Sequence, residues 1–222
     1  MITLDNISKV FYTSEVQTRA LDGVSLTIDK GEFVSVMGPS GCGKSTMLNI
    51  MGLLDEPTSG TLSIDGVNSA GMSDKQLAQL RNRKLGFIFQ SFHLIPALNV
   101  VDNVLLPMHY RPKEMSGAEL RKRAEEVLAK VDLAHRMKHF PTQLSGGQCQ
   151  RVAIARALMG APEVILADEP TGNLDSKMGA EIMSILKQLN AEGTTIVMVT
   201  HDAKIAEQTS RIVRMEDGRI QA

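Results

Sequence analysis

Residues Gly38–Thr46 read GPSGCGKST and follow directly on the apolar run Phe33-Val34-Ser35-Val36-Met37. A buried strand that delivers the chain into G-x-x-x-x-G-K-[ST] constrains the fold more than any other feature, because this loop sits between a strand and a helix N-terminus. Gly38, Gly41 and Gly43 let the backbone turn tightly, so that successive N–H groups, with those of Ser40 and Cys42, point at one anion. Lys44 adds a point charge for the β- and γ-phosphates, and Ser45 offers its hydroxyl to Mg²⁺. The helix expected to start here, through Thr46, Met47, Leu48 and Ile50, turns its positive end to the same phosphates. The expectation is a nucleoside triphosphate site.

Composition narrows the setting. A chain of 222 residues is long enough for one large domain or a core plus a subdomain. A formal net charge of −1 excludes the globally basic surface of a nonspecific nucleic-acid binder. No stretch approaches the ~20 uninterrupted apolar residues that span a bilayer. The opening MITLDNISKVF lacks a charged-then-apolar signal pattern, so the expected location is the cytoplasm. Two cysteines, Cys42 and Cys149, make neither a disulfide framework nor a metal site, and Cys42 reads as a small filler within the loop.

Along the chain, Ile2, Leu4 and Ile7 approximate strand alternation, and Val24–Ile28 alternates cleanly before a turn at Asp29-Lys30-Gly31. Leu62-Ser63-Ile64 leads into Asp65-Gly66, a hairpin-type turn signal. Ser73–Lys84 has helical spacing, and Phe87-Ile88-Phe89 is a short strand ending at Gln90. From about 91 to 143 the texture changes to helices broken by Pro96, Pro107, Pro112 and Pro141, with an amphipathic helix over Glu119–Leu133. The α/β pattern then resumes: helix Gln148–Met159, strand Val164–Ala167, helix Met178–Asn190, a β-branched run Thr194–Thr200, and Ile212–Met215 before Asp217-Gly218. This predicts an α/β chain with a parallel sheet, helices on both faces, and an inserted helical subdomain.

A second half-site lies downstream. The apolar strand at 164–167 runs into Asp168-Glu169, two adjacent carboxylates at a strand's C-terminal end. Asp168 suits Mg²⁺, through water, and Glu169 suits polarising the water that attacks a γ-phosphate.

Between the two halves stands Leu144-Ser145-Gly146-Gly147-Gln148, followed by Gln150-Arg151-Val152 and Ala153-Ile154-Ala155-Arg156-Ala157-Leu158. This run resembles the signature sequence of ATP-binding-cassette (ABC) ATPases, and the likeness covers essentially the whole chain. The resemblance implies a P-loop NTPase core of mixed, largely parallel sheet with an N-terminal antiparallel β subdomain. Residues 1–90 and 160–222 would form that core, and 91–159 the helical subdomain. It implies ATP and Mg²⁺ as ligands. It implies a homodimer in which Leu144–Gln148 of one copy face the nucleotide held by the other; a Ser-Gly-Gly opening a helix is an anion site in its own right. Gln90 matches the family's glutamine loop, bonding Mg²⁺ or the attacking water; His201 matches the switch histidine on the γ-phosphate; Asp175 matches the loop that crosses the dimer interface. An aromatic stacks on adenine in this family, and the register falls on Phe11, with Tyr12 as the adjacent alternative.

The stretches EFVSVMGPSGCGKSTMLNIMGLLDEPTSG and ILADEPTGNLDSKMGAEIM are similar to the macrolide-exporter and lipoprotein-release type of ATPase. That resemblance implies ATP hydrolysis that powers a separate integral membrane permease with a large extracytoplasmic domain, from the inner face of the cell membrane, in export or extraction. The permease contact is expected beside Gln90, over the apolar stretch Phe92–Leu98. The same ATPase driving a non-transport membrane regulator, such as one that activates a cell-wall hydrolase, is the alternative. A soluble relative acting on nucleic acid ranks far lower, because the chain has one cassette, no sustained heptads and no basic patch.

Overall fold

The computed structural model describes residues 1–12, 17–111 and 115–221. Pro112, one of the helix breakers read above, lies outside them. An antiparallel sheet is built from β1 (Ile2–Tyr12), β2 (Gln17–Ile28), β4 (Ser59–Ile64) and β5 (Val67–Asn68), in the order β2-β1-β4-β5. The imperfect alternation of Ile2, Leu4 and Ile7 has a physical cause. Asn6 takes a left-handed φ of 51° and the β1–β2 register shifts between Leu4 and Ile7, so all three apolar side chains reach the same buried face. Hydroxyls take up the backbone groups freed there: Asn6 N–H donates to Ser25 Oγ at 2.9 Å and Gly23 N–H to Ser8 Oγ at 3.0 Å. These hydroxyls also let β2 continue well beyond the Val24–Ile28 segment legible in the sequence.

The second sheet has six strands in the order β10-β9-β3-β8-β7-β6. Its members are β3 (Phe33–Met37), β6 (Leu85–Phe89), β7 (Val164–Asp168), β8 (Thr195–Val199), β9 (Arg211–Glu216) and β10 (Arg219–Ile220), all parallel to their neighbours except β10. Its central strands are buried on both faces. Val34, Val36, Val164, Leu166, Val197 and Val199 join one apolar core with the antiparallel sheet and helix α1 (Lys44–Met51). Phe33, Ile88, Ile165, Ala167, Ile196 and Met198 join the other, with most of the remaining helices, while Leu77 and Leu80 of the helix at Asp74–Lys84 pack on the first core. Two-sided burial explains why these strands read as continuous apolar runs.

The second core takes in α3 (Val100–Leu105), α4 (Gly117–Lys130), α5 (Gly146–Leu158) and α6 (Ser176–Ala191), while α2 (Asp74–Lys84) and the short α7 (Ala203–Ala206) flank the sheet. Helix α4 buries Ala124, Val127 and Leu128, the apolar face expected from the spacing. It ends sooner than the apolar pattern does. Asp132 adopts φ 56°, its N–H reaches Ala129 O at 3.0 Å, and Leu133 N–H reaches Leu128 O at 2.8 Å. That is a Schellman cap, and Leu128 and Leu133, both buried, are its apolar contact, so hydrophobic periodicity runs through a helix that has already stopped.

The segment between β6 and α3 has no helix or strand, and its second half is held by the side chain of Asn103. Asn103 on α3 is fully buried; its Oδ1 accepts from Ile95 N–H at 2.8 Å, and its Nδ2 donates to the carbonyls of Ile95, Leu98 and Asn99 at 2.9–3.1 Å. Asn103→Leu is therefore expected to lower the unfolding free energy by roughly 2–4 kcal/mol, measured by urea denaturation, because several backbone groups lose their only side-chain partner. A loss well under about 1 kcal/mol would show that water satisfies them instead.

Candidate nucleotide site

Strand register builds the site. Pairing aligns Val36 with Val199, Val199 with Asp168, and Asp168 with Phe89, so four strands end on a common row. The chain leaves the sheet at this one edge in every segment: after Met37 into the glycine loop, and at Thr200-His201, Glu169 and Gln90. Ligands of open α/β sheets bind at this carboxyl edge.

The loop between β3 and α1 is clamped by neighbouring backbone. A Cβ on Gly38 would lie 2.1 Å from the Met215 carbonyl oxygen, and one on Gly43 would lie 2.3 Å from that of Ala20. Gly43, at φ 102°, is also the residue from which α1 starts. Gly41 is required for a different reason. Its Cβ position is open space, but its φ of 81° is a left-handed conformation that favours glycine, so the turn and not crowding selects it. Cys42 is buried, as a filler residue should be, and its carbonyl accepts from Gly218 N–H at 3.1 Å, which ties the loop to the Asp217-Gly218 turn between β9 and β10. Lys44 Nζ donates to the carbonyls of Gly38 at 2.9 Å and Pro39 at 2.7 Å. The third donor of the ammonium points to Cys42 Sγ at 3.7 Å, so Lys44 holds the loop in a ring, and because a thiol is a weak acceptor a phosphate oxygen can take that donor over.

Ser45 Oγ lies 3.3 Å from Asp168 Oδ1, joining the start of α1 to the end of β7. Burial holds the Asp168 carboxyl above the ordinary aspartate range, the Glu169 charge adds to this, and Ser45 and Lys44 oppose it. Glu169 takes a left-handed φ of 46° immediately before Pro170, a conformation that residue types other than glycine rarely adopt. The turn is fixed by Glu169 N–H to Val199 O at 3.0 Å and Gly172 N–H to Glu169 O at 3.0 Å. Its carboxylate meets the imidazole of His201, with Oε1 to Nδ1 at 2.7 Å, while the histidine side chain is 70% exposed. Glu169 Oε2 and His201 Nε2 are left for substrate.

These residues fit Mg²⁺. A half-buried carboxylate beside a hydroxyl, with an amide nearby on the Gln90 loop, is a sparse, all-oxygen set. No cluster of three or more His, Cys, Asp and Glu suited to a metal occurs among the described residues. A hard cation that keeps water and takes phosphate oxygens needs no more than that.

The Leu144–Gln148 run forms the start of α5. Ser145 is its N-cap: Oγ accepts from Gln148 N–H at 3.3 Å, and Gln148 Oε1 accepts from Ser145 N–H at 3.0 Å. Gln148 is thus committed to the cap, while the N–H groups of Gly146 and Gly147 stand in the first turn, where no helical acceptor exists. Among the described residues no hydrogen bond joins this run to Gly38–Thr46. Asp175 caps α6, with Oδ1 accepting from Met178 N–H at 2.8 Å, a local role beside any role across an interface. Phe11 and Tyr12 fall on opposite faces of β1. The Phe11 ring lies 5.0 Å below Lys9 Nζ, which is bonded to Asp55 beyond the end of α1, whereas Tyr12 is 70% exposed on the outer face.

Three residues next to the site make contacts that the sequence reading did not assign. Gln150, fully buried on α5, donates through Nε2 to Pro170 O at 2.6 Å and so braces the Glu169 turn. Arg156, also on α5, donates to the carbonyls of Phe92 and His93, both at positive φ. Asn173 bonds reciprocally with Gln90. A glutamine among the mostly apolar buried positions of α5 was the one available signal; the other two depend on contacts 63–83 residues apart in sequence.

Comparison with known proteins agrees with the geometry. The family model described as ABC transporter matches residues 21–172, more than half of the chain. The uncharacterized ABC transporter ATP-binding protein YknY of Bacillus subtilis (strain 168) is 52% identical over 99% of this chain and 95% of its own length. A macrolide export ATP-binding/permease protein MacB of Azoarcus sp. (strain BH72) is 49% identical over the full chain, which spans 34% of that protein. The dimeric structure of the ABC transporter cassette MJ0796, a protein of Methanocaldococcus jannaschii, superposes with a TM-score of 0.92 at 51% identity, covering 100% of this chain and 97% of the other; a second structure of that cassette is a post-hydrolysis state with ADP and Pi. The chain belongs to the ABC transporter family and is an ATPase of that family.

Asp168→Asn tests the electrostatics. The folded-state pKa lies above the unfolded value, so the fold gains when Asp168 is protonated and loses that gain as pH rises through the folded value. The amide keeps the Ser45 acceptor without the charge. The thermal midpoint at neutral pH is expected to hold or rise, while Mg²⁺-dependent ATPase activity falls about 10- to 100-fold. A lowered midpoint would contradict the assigned burial penalty.

Proposed function

We propose that two copies of the chain close head to tail around two ATP molecules, and that closure drives a membrane permease from the cytoplasmic face in export or extraction of a substrate. The observation that carries this is the start of α5: Ser145, Gly146 and Gly147 form an anion site with no hydrogen bond to the chain's own phosphate loop, as a shared sandwich requires. The dimeric MJ0796 cassette supports the same reading.

In this scheme Lys44 and the loop N–H groups hold the phosphates, and Phe11 stacks on the base. Ser45 and Gln90 would hold Mg²⁺, with Asp168 acting through water, and the ion would supply neutralisation of phosphate charge. Glu169 accepts a proton from the attacking water at its free oxygen. His201 orients that carboxylate through Nδ1 and faces the γ-phosphate through Nε2. Ser145 of the second copy completes the site, and Asp175 lies at the dimer contact.

No helix among the described residues is long and apolar enough to cross a membrane. Relatives named MacB carry permease and ATP-binding functions in one chain, of which the present sequence matches the ATP-binding third. The permease would dock in a groove of about 590 Å³ between α2, β6 and the end of α5. Stacked Phe87 and Phe89 rings, 5.8 Å apart, lie along it, with Leu54, His93, Tyr110 and Arg156 at its sides. This refines the apolar stretch expected after Gln90. Leu94 packs on the core, and of that stretch His93 alone lines the groove.

Glu169→Gln is expected to bind ATP normally, to lose roughly 10²- to 10⁴-fold in turnover, and to run as an ATP-dependent dimer in size-exclusion chromatography. Turnover at the wild-type rate would remove Glu169 from the role of base. The same variant, tagged and recovered from native membranes with Mg-ATP, should bring down a permease with a large extracytoplasmic domain. Recovery of soluble or ribosomal partners alone would overturn the transporter reading and leave the ATPase standing.

A further inference from the structure

We propose that Asn173 is a positioning residue that sets which end of the Gln90 amide faces the nucleotide. The inference rests on the reading above, in which Gln90 serves Mg²⁺ or the attacking water.

The two residues bond reciprocally. Gln90 Nε2 donates to Asn173 Oδ1 at 3.2 Å, and Asn173 Nδ2 donates to the Gln90 carbonyl oxygen at 3.1 Å. The second bond fixes the first. A backbone carbonyl only accepts, so the Asn173 atom facing it must be Nδ2. Oδ1 is then the atom turned to the Gln90 side chain, and as an acceptor it can hold only Nε2. Gln90 Oε1 is thereby directed away from Asn173, free of a partner in this pair. A hard cation or a water proton needs that oxygen, and the inverted amide would present N–H groups instead. Asn173 thus selects the productive one of two amide orientations that differ little in shape.

The surroundings make this a purpose-built contact. A Cβ on Gly172 would lie 2.8 Å from Gln90 Nε2 and 3.2 Å from its Cδ, so the glutamine lies directly against the Gly172 backbone. The turn does not need the Asn173 side chain to close, since Gly172 N–H reaches Glu169 O at 3.0 Å and Leu174 N–H reaches Thr171 O at 3.1 Å. Asn173 is exposed, so water replaces its bonds when it is removed and the fold is unaffected. Its neighbour Leu174 and the Gln90-loop residue Phe92 both border Gly146 at the start of α5, within 3.5 and 3.8 Å of where a Cβ there would lie. The latch therefore sits where the glutamine loop, the interface loop and the site for the second nucleotide meet.

The test measures binding of a non-hydrolysed ATP analogue in Mg²⁺ and in EDTA, and the Mg²⁺ dependence of ATPase activity. It compares wild type, Asn173→Ala, Asn173→Asp, Gln90→Ala and the Asn173→Ala/Gln90→Ala double variant. Asn173→Ala should raise the Mg²⁺ concentration for half-maximal activity and shrink the Mg²⁺-induced gain in analogue affinity about five-fold each, the factor one net hydrogen bond is worth. Asn173→Asp, which lacks the Nδ2 donor but still offers Gln90 Nε2 an acceptor, should keep Mg²⁺ dependence nearer to wild type than Asn173→Ala does. Affinity in EDTA and the thermal midpoint should not move, and the double variant should match Gln90→Ala. An Asn173→Ala variant with wild-type Mg²⁺ dependence, or one whose effect persists undiminished on the Gln90→Ala background, overturns the latch. Wild-type Mg²⁺ dependence in Gln90→Ala itself overturns the role of Gln90, and the latch with it.

Discussion

The phosphate loop of this protein is pressed between two backbone carbonyls, those of Met215 and Ala20, which leave no space for a side chain on Gly38 or Gly43. Much of the architecture serves that clamp. Met215 belongs to β9, which is held beside β3, and Ala20 belongs to β2, which is held by Asp22. The Asp22 carboxylate accepts from Arg219 and Arg19, its N–H donates to Gly218 O at 2.9 Å, and Gly218 in turn donates to Cys42 within the loop. The two arginines hold that carboxyl below the usual aspartate range. The antiparallel sheet is in this sense the back wall of the nucleotide site.

The parallel sheet sets the opposite wall through register. With Val36, Val199, Asp168 and Phe89 in one row, the distance from strand end to functional group is one or two residues in every case. Little freedom remains in where Glu169, His201 and Gln90 emerge. What freedom there is has been removed locally: by the left-handed φ of Glu169, by Gln150 under Pro170, and by Arg156 on the Phe92–His93 carbonyls. Residues at unfavourable φ persist only where their surroundings over-determine them, and hydrogen bonds from the single helix α5 brace the two such segments at this edge, Phe92–His93 and Glu169.

The legible parts of the chain were those with local causes. The strand Val34–Val36 into GPSGCGKST, the carboxylates after Val164–Ala167, and the buried face of α4 all follow from nearest neighbours and periodicity. Where the sequence misled, a second local rule competed with the first. Apolar spacing carried α4 past its Schellman cap because Leu133 is buried as the capping contact and not as a helical residue. Alternation broke at Asn6 because a bulge re-aimed Ile7. The short β10 and its Asp217-Gly218 turn were read only as an ending, since two residues at the edge of a sheet carry too little pattern. Asn173 and Arg156 were illegible for a different reason: their partners are 83 and about 63 residues away, and nothing in either residue type announces them.

Those long-range contacts join at one place. The groove proposed for the permease includes His93 and Arg156; Arg156 holds the segment just after Gln90; Gln90 is bonded to Asn173; and Asn173 lies two residues before Asp175, which caps α6. Contiguity is not yet energetic coupling, which requires an element with two arrangements that both ends bias. The segment 91–99 has the make-up of such an element. It lacks regular secondary structure, carries two residues at positive φ, and is held by polar contacts to Asn103 and Arg156 more than by apolar packing. Hydrogen bonds exchange one partner for another over short distances, whereas a packed apolar core does not yield continuously. A partner bound in the groove would thus meet the most readily rearranged part of the chain at the point nearest the nucleotide.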